Sequence, residues 1–269
     1  MSDNQHSNIL SNLLCSEPFP YLMKSPIFLL IGLLLVSSCN NESSLKDPEK
    51  IINEAIYKHG DFKGKAVSFR FRDREYSVSR DKDGYTYVRY WQDDSLGAVK
   101  DILVNSKHFT RRVNGEKVAV NKDWEDKYSN SVNSVLYFFQ LPFVLNDAGA
   151  IKKYVGKFTI KGEPYQCVQV TFTQDGGGKD FEDVFFYWIH EKNKTVDFLA
   201  YSYLTEGGGV RFREAINRRE IKGLLIQDYV NHAADKSTPL EKLPKLFEEG
   251  RLENLSMIIN ENVRVTELK

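Results

Sequence analysis

Cysteine is scarce and odd in number: Cys15, Cys39 and Cys167 are the three in 269 residues. An odd, widely spaced set excludes a disulfide framework. Histidine is nearly as sparse. His59, His108, His190 and His232 show no i, i+4 pair and have no neighbouring ligand set, so neither a metal nor any other cofactor is expected. Charge of one sign is missing too: 37 basic residues balance 37 acidic ones. That balance argues against nucleic acid as a partner, which calls for a clustered basic surface. Only one long apolar run is present, at 27–36, about half of the ~20 residues a membrane-spanning helix needs. No repeat of solenoid period appears.

Catalytic signatures are absent as well. Gly176-Gly177-Gly178-Lys179-Asp180 lacks the leading glycine of a phosphate loop and has Asp where Ser or Thr would hold magnesium. Asp81-Lys82-Asp83-Gly84 has its glycine at the fourth position rather than the sixth of a calcium loop, and reads as a turn. No Gly-x-Ser-x-Gly elbow frames a serine. The Glu182-Asp183 pair sits in polar loop sequence and reads as solvated. The chain is therefore read as a non-enzyme.

What is present begins at Met23-Lys24. One positive charge precedes the apolar run 27–36, and Ser37-Ser38-Cys39 follow it. Basic residue, short apolar core and small residues form the order of a secretory signal. The segment Val36-Ser37-Ser38-Cys39 resembles the bacterial lipobox, in which an aliphatic residue and two small ones precede a cysteine. That resemblance implies a diacylglycerol on the Cys39 sulfur and cleavage just before it. Two or three acyl chains suffice for stable anchoring, each buried CH₂ contributing about 0.8 kcal/mol. Residues 1–22 then read as an upstream extension outside the true start, 23–38 as signal peptide and 39–46 as tether. Residues 47–269 read as one domain, expected to be a monomer tethered in the cell envelope. Asn40 rather than Asp after the cysteine points to the outer membrane. Cys167 remains as a lone strand thiol, on the face opposite Val168 and Val170 and beside Tyr165.

Past the tether, Asp47-Pro48-Glu49 opens a helix that Gly60 ends, with Ile51, Ile52, Ala55 and Ile56 as its apolar stripe. From Lys65 the period changes to two. Val67, Phe69 and Phe71 alternate with polar residues, and turn signals separate further short strands. Asn114-Gly115 is the strongest hairpin signal. A second helix is expected over 124–140, capped by Asp123 and aromatic in its last turn. Strands resume over 157–161, 165–174, 184–190, 196–204, 210–222 and 224–230. A short helix at 239–250, broken by Pro244, precedes a final strand pair at 256–259 and 263–265. Long strands at short spacing predict a mainly β fold: one curved antiparallel sheet, or incomplete β-barrel, lidded by a few helices.

The aromatic residues concentrate on strands. Phe185-Phe186-Tyr187-Trp188 and Phe198-Leu199-Ala200-Tyr201 are unbroken apolar runs, which predict burial on both faces. Phe186 with Trp188, and Tyr201 with Tyr203, share faces; Phe172 is a further candidate. Together with Trp124, Tyr128, Phe138 and Phe139 of the helix they are the expected lining of an apolar cavity. Arg211 and Arg213 are expected at its rim, meeting a ligand's anionic head. The chain as a whole resembles the LolA/LolB/LppX-like half-barrel lipoproteins. The segments 124–128, 183–188, 197–203 and 208–213 are similar to a family of uncharacterised Gram-negative lipoproteins. That resemblance implies a half-barrel whose cup takes a lipid or another apolar small molecule. The competing expectations are an interaction lipoprotein with a filled core and an envelope hydrolase.

Overall fold

Asp47 caps α1 (Pro48–His59): its Oδ1 accepts the Glu49 amide N–H at 2.9 Å, and Gly60 closes the helix at φ 94°. The computed structural model describes residues 46–147, 149–173 and 182–268, which fall in one compact unit. Residues 23–38, expected above to be a signal peptide, and Cys15, Cys39 and Gly176-Gly177-Gly178 lie outside the described residues. Among those residues, no helix is long and apolar enough to cross a membrane.

Six strands follow α1: β1 (Lys65–Phe71), β2 (Arg74–Asp81), β3 (Gly84–Asp93), β4 (Gly97–Val104), β5 (His108–Val113) and β6 (Glu116–Val118). Each pairs antiparallel with the next. Asn114 and Gly115, both at positive φ, make the two-residue turn between β5 and β6 that their sequence predicts. Next comes α2 (Lys122–Phe139). Then β7 (Ala150–Ile160), β8 (Glu163–Phe172), β9 (Val184–His190), β10 (Val196–Tyr203), β11 (Gly209–Ile221) and β12 (Leu224–Ala234) form a second antiparallel meander. After α3 (Leu243–Glu248), β13 (Glu253–Ile258) joins the edge of that second sheet beside β12. β14 (Glu261–Glu267) crosses to the first sheet and pairs with β1. The expected mainly β, antiparallel, unclosed fold is the one found, and the strands of the described residues divide into two sheets of seven.

Four local expectations need correction. The cap of α2 is Asn121, whose Oδ1 accepts the Trp124 N–H at 3.0 Å, not Asp123, which lies in the first turn. Pro244 stands in the first turn of α3, where its missing N–H leaves no orphan, so it opens that helix rather than breaking it. β7 begins at Ala150 rather than at 157, because Lys152 and Lys153 interrupt the apolar alternation. The last two strands do not pair with each other; they part to opposite sheets.

The main core lies between the sheets and holds α1 and α2, with Ile52, Ala55, Val132, Leu136 and Leu145 fully enclosed. A second core covers the outer face of the second sheet, where Trp188, Phe198 and Phe212 pack with Leu243 of α3. The second sheet is thus buried on both faces, as its unbroken apolar runs predict. Cys167 belongs to the outer core with Tyr165, while Val168 and Val170 face the inner one. Burial raises the thiol's pKa far above its ordinary value, which leaves it an inert packing group.

Candidate functional site

Tyr137, Phe138 and Phe139 are consecutive, and a helix turns about 100° per residue, so the three rings fan out from the last turn of α2 toward both sheets. Phe139 stacks on Phe69 of the first sheet at 3.9 Å. Tyr137 meets Phe172 and Phe185, and Phe138 meets Phe185 and Tyr201, all on the second sheet. The Tyr137 hydroxyl hydrogen-bonds that of Tyr187 at 3.1 Å. Gln140, which ends the helix, donates from Nε2 to the Tyr87 hydroxyl at 2.8 Å and accepts from Arg80 Nε at 2.6 Å, tying α2 to the first sheet.

Held apart by that fan, the helix and the second sheet leave a cavity of about 480 Å³. Its inner wall is Phe185, Tyr201, Arg213, Tyr229 and Asn231 from β9 to β12. Val135, Phe138 and Phe139 cover it from α2, and Ser256, Ile258 and Asn260 close the β13 side. Arg72, Ser134 and Thr205 are exposed and form the mouth. The lining is aromatic, with a few convergent polar groups, in the manner of small-molecule sites.

Arg213 is the charged group of the wall, only 8% exposed. Its guanidinium lies 3.9 Å from the centre of the Phe138 ring. Nη2 donates to the Tyr201 hydroxyl at 2.9 Å and Nε to Asn231 Oδ1 at 3.3 Å. Desolvation raises the phenol pKa of Tyr137, Tyr187 and Tyr229, so these hydroxyls act as neutral hydrogen-bonding groups. Among the described residues, no histidine or cysteine lines the cavity.

Five of the ten residues picked from sequence meet here: Phe138, Phe139, Tyr201, Tyr203 and Arg213. The others do not. Phe186 and Trp188 face the outer core, because Phe185 is the residue opposite Tyr201 and alternation sends its neighbours to the other side. Trp124 and Tyr128 sit two to three turns earlier on α2. There Trp124 stacks on Tyr128 while 49% exposed, and Arg111 lies over the Tyr128 ring at 3.5 Å. Arg211 shares a strand face with Arg213 but is not part of the lining; it donates to the hydroxyl of the lining residue Tyr203 at 2.6 Å. Arg213 itself lines the wall rather than the rim. Sequence reasoning missed Phe185, Tyr229 and Asn231. The first was legible as the other parity of the β9 run; the last two depend on the register of β12 against β11.

Residues 24–260 match DUF6503, described as a family of unknown function. The chain belongs to the DUF6503 family. No curated protein matches it. Among solved structures, this DUF6503 chain is similar to a DUF1329 family protein from Desulfovibrio piger. The TM-score is 0.51 at 10% identity, over 81% of this chain and 93% of that one, which shows a shared fold. A putative outer membrane lipoprotein-sorting protein domain from Vibrio parahaemolyticus aligns at TM-score 0.38 and 8% identity, over 82% and 94% of the two chains. The Mycobacterium tuberculosis lipoprotein LppX aligns at 0.25 and 11%, over 60% and 91%.

Proposed function

We propose that this DUF6503 protein is a cell-envelope lipoprotein, moored through acylated Cys39, that holds a hydrophobic or amphiphilic ligand between α2 and its second sheet. The observation that carries this reading is the aromatic cavity of about 480 Å³. Ligand pockets commonly fall between about 300 and 1,000 Å³. Binding is driven by removing apolar surface from water, at about 25 cal/mol per Å². The mooring rests on the Val36-Ser37-Ser38-Cys39 motif, and the outer membrane as its site on the absence of Asp after the cysteine. The protein acts as a monomer.

Native mass spectrometry of the protein extracted from membranes tests the ligand, which should appear as added mass released by organic solvent. Bare protein, together with no uptake of a fluorescent fatty acid, overturns the binding reading and leaves an interaction lipoprotein. Labelling with radioactive palmitate tests the mooring independently: label should be incorporated by the wild type and lost in Cys39→Ser.

A further inference from the structure

Arg213 brings a full positive charge into an aromatic cavity, and its partners among the described residues are neutral. The hydrogen bonds it makes go to a phenol and an amide oxygen, and two rings, Phe138 and Tyr201, flank it. Among the described residues no carboxylate lies within 4.0 Å of it. A guanidinium carries five N–H donors in a rigid fork. Two are used here, one on Nε and one on Nη2. A desolvated cation is costly unless an anion and further hydrogen bonds compensate it. Cation–π contact with the two rings offsets part of that cost. The remaining donors suit the two oxygens of a carboxylate or phosphate, the bidentate partners such a fork matches. The described lining carries two positive groups, Arg213 on the wall and Arg72 at the mouth, against one carboxylate, Asp183, which has a partner of its own.

Volume limits what hangs from such a headgroup. An apolar cavity of about 150 Å³ takes one benzene, so about 480 Å³ takes roughly three times as many atoms, on the order of 18. One long acyl chain fits that space, and two do not. The geometry points to a single-chain amphiphile with an anionic headgroup as the ligand, its carboxylate or phosphate seated on Arg213 inside the cavity and its chain among the rings of α2 and the second sheet. This assignment rests on the cavity being a binding site at all, and the following experiment separates the two claims.

The full chain, purified in digitonin, is titrated with radiolabelled palmitate, hexadecyl phosphate, hexadecanol and dipalmitoyl phosphatidate, and bound label is counted after gel filtration. Palmitate or hexadecyl phosphate should bind at least about tenfold tighter than hexadecanol; whichever anion binds tighter identifies the headgroup. Arg213→Gln should abolish that preference, the alcohol and both anions then binding alike. Arg213→Lys, a point charge without the fork, should keep part of it. Equal affinity of the wild type for the alcohol and both anions overturns the headgroup assignment without needing any variant to fold, and leaves the cavity reading standing. A preference that survives in Arg213→Gln overturns the role of Arg213. Phosphatidate binding as tightly as the single-chain anions overturns the one-chain limit. Failure of all four to bind overturns the cavity reading itself.

Discussion

Two guanidiniums share one carboxylate inside the first sheet. Arg89 donates from Nε and Nη2 to Asp101 Oδ2 at 3.1 and 2.6 Å, and Arg111 from Nε to Oδ1 at 2.7 Å and from Nη2 to Oδ2 at 2.9 Å. Asp101 is fully buried. Asp101→Ala takes the shared carboxylate from two buried cations, and a loss of about 3–5 kcal/mol is expected as a lower urea midpoint. His59 gives a pH dependence. Its Nε2 accepts the Val196 amide N–H at 3.2 Å, which requires a neutral ring. Burial first, and the Arg218 charge second, lower its pKa to about 3, against about 6.5 unfolded. Between those values the unfolded chain binds the extra proton, so stability falls as pH drops below about 6.5 and the loss is complete near 3. Denaturant midpoints taken from pH 7 to 4 should decline more steeply in the wild type than in His59→Gln, by up to about 1.4 kcal/mol per pH unit. Neither cluster was legible in the sequence. Arg89, Asp101 and Arg111 come from three strands, and only the register that sets Arg89 opposite Asp101, and Asp101 opposite Arg111, unites them.

Single elements were more readable, and the exceptions are instructive. The whole of α1 follows from Asp47, Pro48, its apolar stripe and Gly60. Gly60 also does something that the sequence conceals: a Cβ there would lie 2.1 Å from the Gly223 carbonyl oxygen, in the turn between β11 and β12. Gly60→Ala combines that clash with an unfavourable positive φ, and should cost about 2 kcal/mol or more, lowering Tm by roughly 4–8 °C in a thermal melt. For β9 the apolar run 185–188 announced burial on both faces but not which parity faced which core. Phe185→Ala and Phe186→Ala should therefore part company. Each destabilises by about 3–5 kcal/mol, yet Phe185→Ala alone should alter ligand binding, as titration with a labelled fatty acid would read. The aromatic last turn of α2 was visible as composition. Its division between two sheets was not, because nothing local says that a helix will have strands on both sides.

At the scale of the molecule the two sheets are fastened where β12, β13 and β14 meet. Asp228 accepts the Asn260 amide N–H at 2.8 Å and Arg219 Nη1 at 3.1 Å, and Asn260 Nδ2 donates to the Gln227 carbonyl at 3.0 Å. Asp228→Ala takes the acceptor from a buried Asn260 N–H at the crossing and one partner from Arg219, so a loss of about 1–3 kcal/mol in chemical denaturation is expected. The strands at 256–259 and 263–265 were foreseen and their partners were not. Local pattern marks a strand, but the choice of sheet is made by residues about 200 positions away, as in the pairing of Lys65 with Glu267.

That pairing sets an order of assembly. β1 is made early, and one of its two edges has no neighbour until β14 has left the ribosome. Until then a row of bare amide and carbonyl groups faces outward, a template for a neighbouring chain. Contacts this distant in sequence also form slowly. A shortened chain lacking residues 253–269 should therefore accumulate as aggregate rather than as a smaller soluble domain, since the first sheet has no way to finish its own border.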